Sequence, residues 1–161
     1  MSTFFYTQLE GMRDSKSYSY AKLERILKRK KVNLFDFKYT LIPVNLPHSH
    51  WLLIVVDIAN RSVTILDSLG PSTSLECETF LNTVLPFLQD HFTTSSLADH
   101  TQWTISTVEN LPLQGNGFDC GLCTSLNLEV ISRIGRLEAV LTTTSRINET
   151  YQLLPDGITI S

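Results

Sequence analysis

A chain of 161 residues, 42% of them apolar, suffices for one domain with its own core and needs no disulfide or metal staple to hold it. A formal net charge of −3 and a pI near 5.8 give no support to nucleic-acid binding. The longest apolar run, WLLIVV at residues 51–56, is far too short to span a bilayer, and the first residues lack the charged-then-apolar order of a secretory leader. Three cysteines in such a chain point to a reducing compartment, nucleus or cytoplasm, where thiols are structural, metal-bound or catalytic.

Residues 17–30 (SYSYAKLERILKRK) place Tyr20, Leu23, Ile26 and Leu27 at helical spacing. The basic run at residues 28–31 suits a helix C-terminus, where the dipole favours cations; a nuclear-localisation signal or an anion contact is the functional alternative. Three strand-like runs follow at 39–45, 50–58 and 62–68, rich in β-branched and aromatic residues. Asp57, Asn60 and Ser62 between the last two predict a hairpin. Gly70 and Pro71 turn the chain, and the Ser and Thr residues after them suit a helix cap.

Residues 74–92 predict an amphipathic helix with Leu75, Phe80, Leu81, Val84, Leu85 and Leu88 inward, kinked or split at Pro86. A strand is expected at 102–109. A helix is expected at 118–134, with its apolar face at Leu122, Leu126, Val130, Ile131 and Ile134. One or two short helices are expected in 137–157. No internal repeat or linker interrupts the chain, and the order of elements gives an α+β fold.

The stretch LPLQGNGFDCGLC, residues 111–123, holds two cysteines at C-x-x-C spacing. A zinc site would pair Cys120 and Cys123 with His48 and His50, but H-x-H at a strand start is not the usual spacing and no second C-x-x-C exists. A redox pair would need thioredoxin-like βαβ surroundings, whereas this motif follows several antiparallel strands. The third reading is a single nucleophile, Cys120, at a helix N-terminus, where unpaired N–H groups favour a thiolate. Gly121 would keep the backbone open to a reacting carbonyl, and Gly115 and Gly117 would permit an unusual approach loop. Such a cysteine needs a base, and the base an orienter. His50 begins one hairpin strand and Asp67 ends the next, so the antiparallel arrangement brings them to the same end. Gln114 is placed to hydrogen-bond a developing oxyanion.

His50-Trp51, then ILDSLG at 65–70, then QGNGFDCG at 114–121 together resemble the ubiquitin-like-protein-specific cysteine proteases, the Ulp or sentrin/SUMO-specific family. FFYTQL at 4–9 and VNLFDFKYTLIPVN at 32–45 are similar to that family too. The resemblance implies a papain-like α+β fold of the Ulp type, with a central, mainly antiparallel sheet flanked by helices. It makes residues 1–161 one catalytic domain lacking the family's usual N-terminal segment, which supplies part of the modifier-binding surface. It also implies that Cys120 is the nucleophile, His50 the base and acid, Asp67 its orienter, and Gln114 part of the oxyanion hole. Trp51 would line the narrow tunnel for the Gly-Gly end of SUMO or another ubiquitin-like modifier, the expected partner. No cofactor, metal, nucleic acid or membrane is implied.

Other readings compete. The domain could bind a modifier without cutting it, remove a Nedd-type modifier, or transfer acetyl groups as relatives of this protease clan do. His48 competes with His50 as base. Asp119 reads as the N-cap of its helix, Cys123 as a buried small hydrophobe, and His91 and His100 have no identifiable partner.

Overall fold

The computed structural model describes residues 3–14, 16–46, 50–94, 103–108 and 110–142. Helices α1 (Thr3–Asp14) and α2 (Tyr20–Arg29) lead into strands β1 (Tyr39–Leu46), β2 (His50–Asp57) and β3 (Ser62–Leu66). Helix α3 (Ser74–Thr94), strand β4 (Thr104–Thr107) and helix α4 (Cys120–Ile134) follow. The strands form one sheet in the order β1-β2-β3-β4. The first two pairings are antiparallel. β3 and β4 are parallel, and α3 between them supplies the long crossover that a parallel pair needs. This is the expected α+β arrangement, and β4 is shorter than the predicted strand.

β2 explains the layering. Every position from Leu52 to Asp57 is buried, so both faces of the strand are covered. Leu52, Ile54 and Val56 join one core with α1, α2 and α3; Leu53 and Val55 join a second with Val130 and Ile131 of α4. Each such side chain stabilises the fold by roughly 1.5–3 kcal/mol. Pro43 is tolerated in β1 because that strand lies at the sheet edge.

Several expectations are corrected. α1 is not among the predicted elements, yet Phe5, Tyr6, Leu9 and Met12 make one buried helical face. Pro86 does not split α3; Val84, Phe87 and Leu88 around it are buried and hold the helix in one piece. α4 buries Cys120, Cys123, Thr124, Asn127, Val130 and Ile131, while Leu122 and Ile134 are exposed. Val130 and Ile131 of the predicted apolar face are buried as expected; the first turn departs from it, because that turn faces a polar site.

His91 does have partners. Its ring stacks on Phe35 at 5.0 Å and on Phe87 at 5.6 Å, and its Nδ1 lies 2.9 Å from the Tyr20 hydroxyl. Burial pushes its pKa down. The cap before α3 is Thr73, whose hydroxyl accepts the Glu76 N–H at 3.3 Å while the Glu76 carboxylate accepts the Thr73 N–H at 2.8 Å. The basic run sits at the C-terminal end of α2, with Lys28 and Arg29 in its last turn. His48, His100 and the predicted tail helices beyond residue 142 lie outside the described residues.

Candidate active site

The hairpin ladder pairs Leu53 with Leu66, which carries His50 and Asp67 to the same end of the sheet. His50 Nε2 donates to Asp67 Oδ1 at 2.9 Å. The backbone N–H of Leu69 donates to the same oxygen at 2.9 Å and fixes the carboxylate in turn. Gly70, at φ +138°, lets the chain reverse just after this pair. A carboxylate offers only acceptors, so the bond puts the imidazole proton on Nε2 and leaves Nδ1 as the basic nitrogen. Nδ1 is buried and has no hydrogen-bond partner among the described residues.

Cys120 is the first residue of α4 and only 3% exposed. A Cβ on Gly121 would stand 3.5 Å from the Trp51 ring. The residue after the cysteine thus packs on the residue after the histidine, and the start of α4 meets the start of β2. No described residue holds a positive φ at Gly115 or Gly117, and neither glycine is crowded. The approach loop therefore does not depend on them as the sequence suggests.

Side-chain bonds shape that loop. Asn116 Oδ1 accepts the N–H groups of Phe118 and Asp119, each at 3.0 Å. Asn116 Nδ2 donates to Asp119 Oδ2 at 2.6 Å. Asp119 occupies the N-cap position but makes no side-chain cap bond; its carboxylate serves Asn116 instead. Gln114 Nε2 donates to the Asn116 carbonyl at 2.6 Å, and Ser68 Oγ donates to Gln114 Oε1 at 2.6 Å. Cys123 is buried, as its reading as a small hydrophobe expects; burial pushes its thiol pKa up, and the neighbouring Ser68 works against that shift.

Five sequence candidates thus fall in two adjoining groups: His50, Asp67 and Trp51 at the sheet end, Gln114 and Cys120 on the loop and helix. Ser68 and Asn116 are the residues sequence reasoning misses. Asn-Gly is a turn signal that marks Asn116 in hindsight; nothing local marks Ser68. Among the described residues no three His, Cys, Asp or Glu side chains group as metal ligands, and no helix is long and apolar enough to cross a membrane.

A model of the Ulp1 protease family, C-terminal catalytic domain, matches residues 1–144. Sentrin-specific protease 2 of Rattus norvegicus is 35% identical over 137 residues, 83% of this chain and 21% of that protein. Ubiquitin-like-specific protease 1 of Saccharomyces cerevisiae is 27% identical over 128 residues, 78% of this chain and 19% of that one. The solved C-terminal Ulp1 protease domain in complex with Smt3, the yeast ortholog of SUMO, superposes with a TM-score of 0.65 at 22% identity. It covers 88% of this chain and 62% of that one, and supports the fold. The chain belongs to the Ulp1 protease family, and it spans about a fifth of the length of the two sequence relatives named above.

Proposed function

We propose that the chain is a thiol protease that hydrolyses the bond after the C-terminal Gly-Gly of SUMO or a related ubiquitin-like modifier, in a precursor or on a lysine. The observation that carries this reading is the His50–Asp67 bond at 2.9 Å, which leaves a buried Nδ1 open at the end of the sheet that meets Cys120. His50 Nδ1 takes the proton from the Cys120 thiol, and the sulfur attacks the carbonyl carbon. Gln114 Nε2 donates to the oxyanion. The tetrahedral intermediate collapses, the C–N bond breaks, and His50 returns the proton to the leaving amine. Water, losing a proton to His50, attacks the thioester; the modifier leaves with a free carboxylate and the thiol is restored. Asp67 holds the imidazole and balances its charge when protonated.

Burial of Cys120, with Gly121 against the Trp51 ring, supports a thin substrate strand, and two glycines carry no side chain to obstruct it. Seven large apolar side chains are exposed among the described residues, and four of them, Leu69, Leu113, Phe118 and Leu122, lie within two positions of Asp67, Gln114 or Cys120. Such a rim favours docking of a folded modifier, as does the naming of relatives for SUMO and sentrin. Nucleus and cytoplasm, where thiols stay reduced, are the compartments this chemistry fits.

Covalent trapping tests the proposal. SUMO, Nedd-type and ubiquitin probes with a C-terminal thiol-reactive group are incubated with the wild type, Cys120→Ser and Cys123→Ser. Labelling by one probe, lost only in Cys120→Ser, is expected and identifies the modifier. A Cys120 that alkylates with a small reagent but is labelled by no probe would overturn the protease reading in favour of a binding or acetyl-transfer role.

A further inference from the structure

We infer that Ser68 is a positioning residue for this site: its hydroxyl and carbonyl together lock Gln114 in the one orientation that leaves an amide N–H for the oxyanion. The inference rests on the protease reading above.

Ser68 is 3% exposed, and it holds Gln114 twice. Its carbonyl accepts the Gln114 backbone N–H at 2.9 Å, and its hydroxyl donates to Gln114 Oε1 at 2.6 Å. At the other end of the amide, one Nε2 hydrogen goes to the Asn116 carbonyl at 2.6 Å. An amide nitrogen has two hydrogens, so one remains. A flipped amide would set Oε1 against the Asn116 carbonyl, acceptor against acceptor. The orientation therefore has a single solution.

A serine hydroxyl has one hydrogen, and here it is directed to Gln114. Cys123 lies beside Ser68; burial pushes its thiol pKa up, and the Ser68 contact works against that shift. Contacts of Ser68 thus reach the first turn of α4 on one side and the loop before Cys120 on the other. Ser68 directly follows Asp67, so one peptide unit joins the group that orients the base to the group that orients the oxyanion donor.

A merely structural serine would lower stability without discriminating among kinetic parameters. A positioning serine acts through Gln114. Gln114→Ala is expected to lower kcat about 10²- to 10³-fold, the scale of an oxyanion donor. Ser68→Ala is expected to lower kcat about tenfold with KM within about twofold, the scale of one oriented hydrogen bond. The double variant should be no slower than Gln114→Ala alone, because the Ser68 effect has no second route. Ser68→Thr, which keeps the hydroxyl, should recover most of the loss. The rate of small-molecule alkylation of Cys120 against pH should be unchanged in Ser68→Ala.

Losses that multiply in the double variant, or alkylation slowed as much as turnover, would overturn the inference. Should Ser68→Ala not fold, the wild type decides by NMR: the Gln114 side-chain amide must be as rigid as the backbone, and a freely rotating amide sinks the idea. Failure of the protease reading looks different, as a wild type that no modifier probe labels. Failure of this one is a labelled enzyme that keeps full kcat without the Ser68 hydroxyl.

Discussion

The two halves of the candidate site are held by different physics. His50 and Asp67 stand at the ends of strands whose ladder is backbone and whose side chains are buried on both faces. Gln114 and Cys120 stand on a loop and a helix start whose shape comes from side-chain bonds made by Ser68, Asn116 and Asp119. The sheet half is therefore expected to fail only when the domain unfolds. The loop half can fail locally, one hydrogen bond at a time.

Substitutions can break that contrast or sharpen it. Cys120→Ala should cost turnover about 10⁶-fold, the scale at which only binding and oxyanion stabilisation survive, in a modifier-cleavage assay at unchanged melting temperature. Asp67→Ala should cost about 10²- to 10⁴-fold in kcat. Asp67→Asn should cost less, because an amide oxygen still accepts from both His50 Nε2 and the Leu69 N–H. Equal losses in the two variants would mean that charge, not orientation, is what Asp67 provides.

Leu53→Ala and Asn116→Ala address the contrast directly. Leu53 is fully buried in the sheet, and its truncation should cost about 2–5 kcal/mol in chemical denaturation while activity per folded molecule holds. Asn116→Ala should do the reverse, lowering kcat about tenfold or more with stability down only about 1–2 kcal/mol. Matching stability losses would erase the distinction between the halves. Phe118 is 81% exposed, so Phe118→Ala should leave stability unchanged and raise KM about threefold to tenfold, roughly 0.7–1.4 kcal/mol.

The smallest effect concerns pH. His91 is held neutral in the fold by burial, so its folded pKa lies below the unfolded value near 6.5. The unfolded chain gains a proton first as pH falls, so the His91 contribution is complete above about pH 6.5 and declines below it. Thermal melts from pH 7.5 to 5.5 should fall by at most about 1.4 kcal/mol per pH unit, reduced by the ring's partial exposure. His91→Gln should flatten the slope; an unchanged slope would assign the linkage to other groups.

What was legible in the sequence was local or periodic. Strand composition and turn residues located β1, β2 and β3, and the antiparallel pairing of a hairpin brought His50 to Asp67. Helical spacing located α2, α3 and α4. α1 was legible in principle, since Phe5, Tyr6, Leu9 and Met12 recur at helical intervals, but no cap marks its start. The buried face of α4 was not legible at its start, because its first turn answers to the Ser68 hydroxyl and the Trp51 ring rather than to hydrophobicity.

The sequence alone determined which residue types could act and roughly where most elements lie, since those depend on neighbours a few positions apart. Tertiary structure alone decided how Gln114 is held. Its bond to Ser68 joins residues 46 positions apart, and such a bond exists only once the end of β3 and the loop before α4 have been packed together. A hydrogen bond needs its donor and acceptor placed within a few tenths of an ångström, and no pattern of residue types along a chain carries that information.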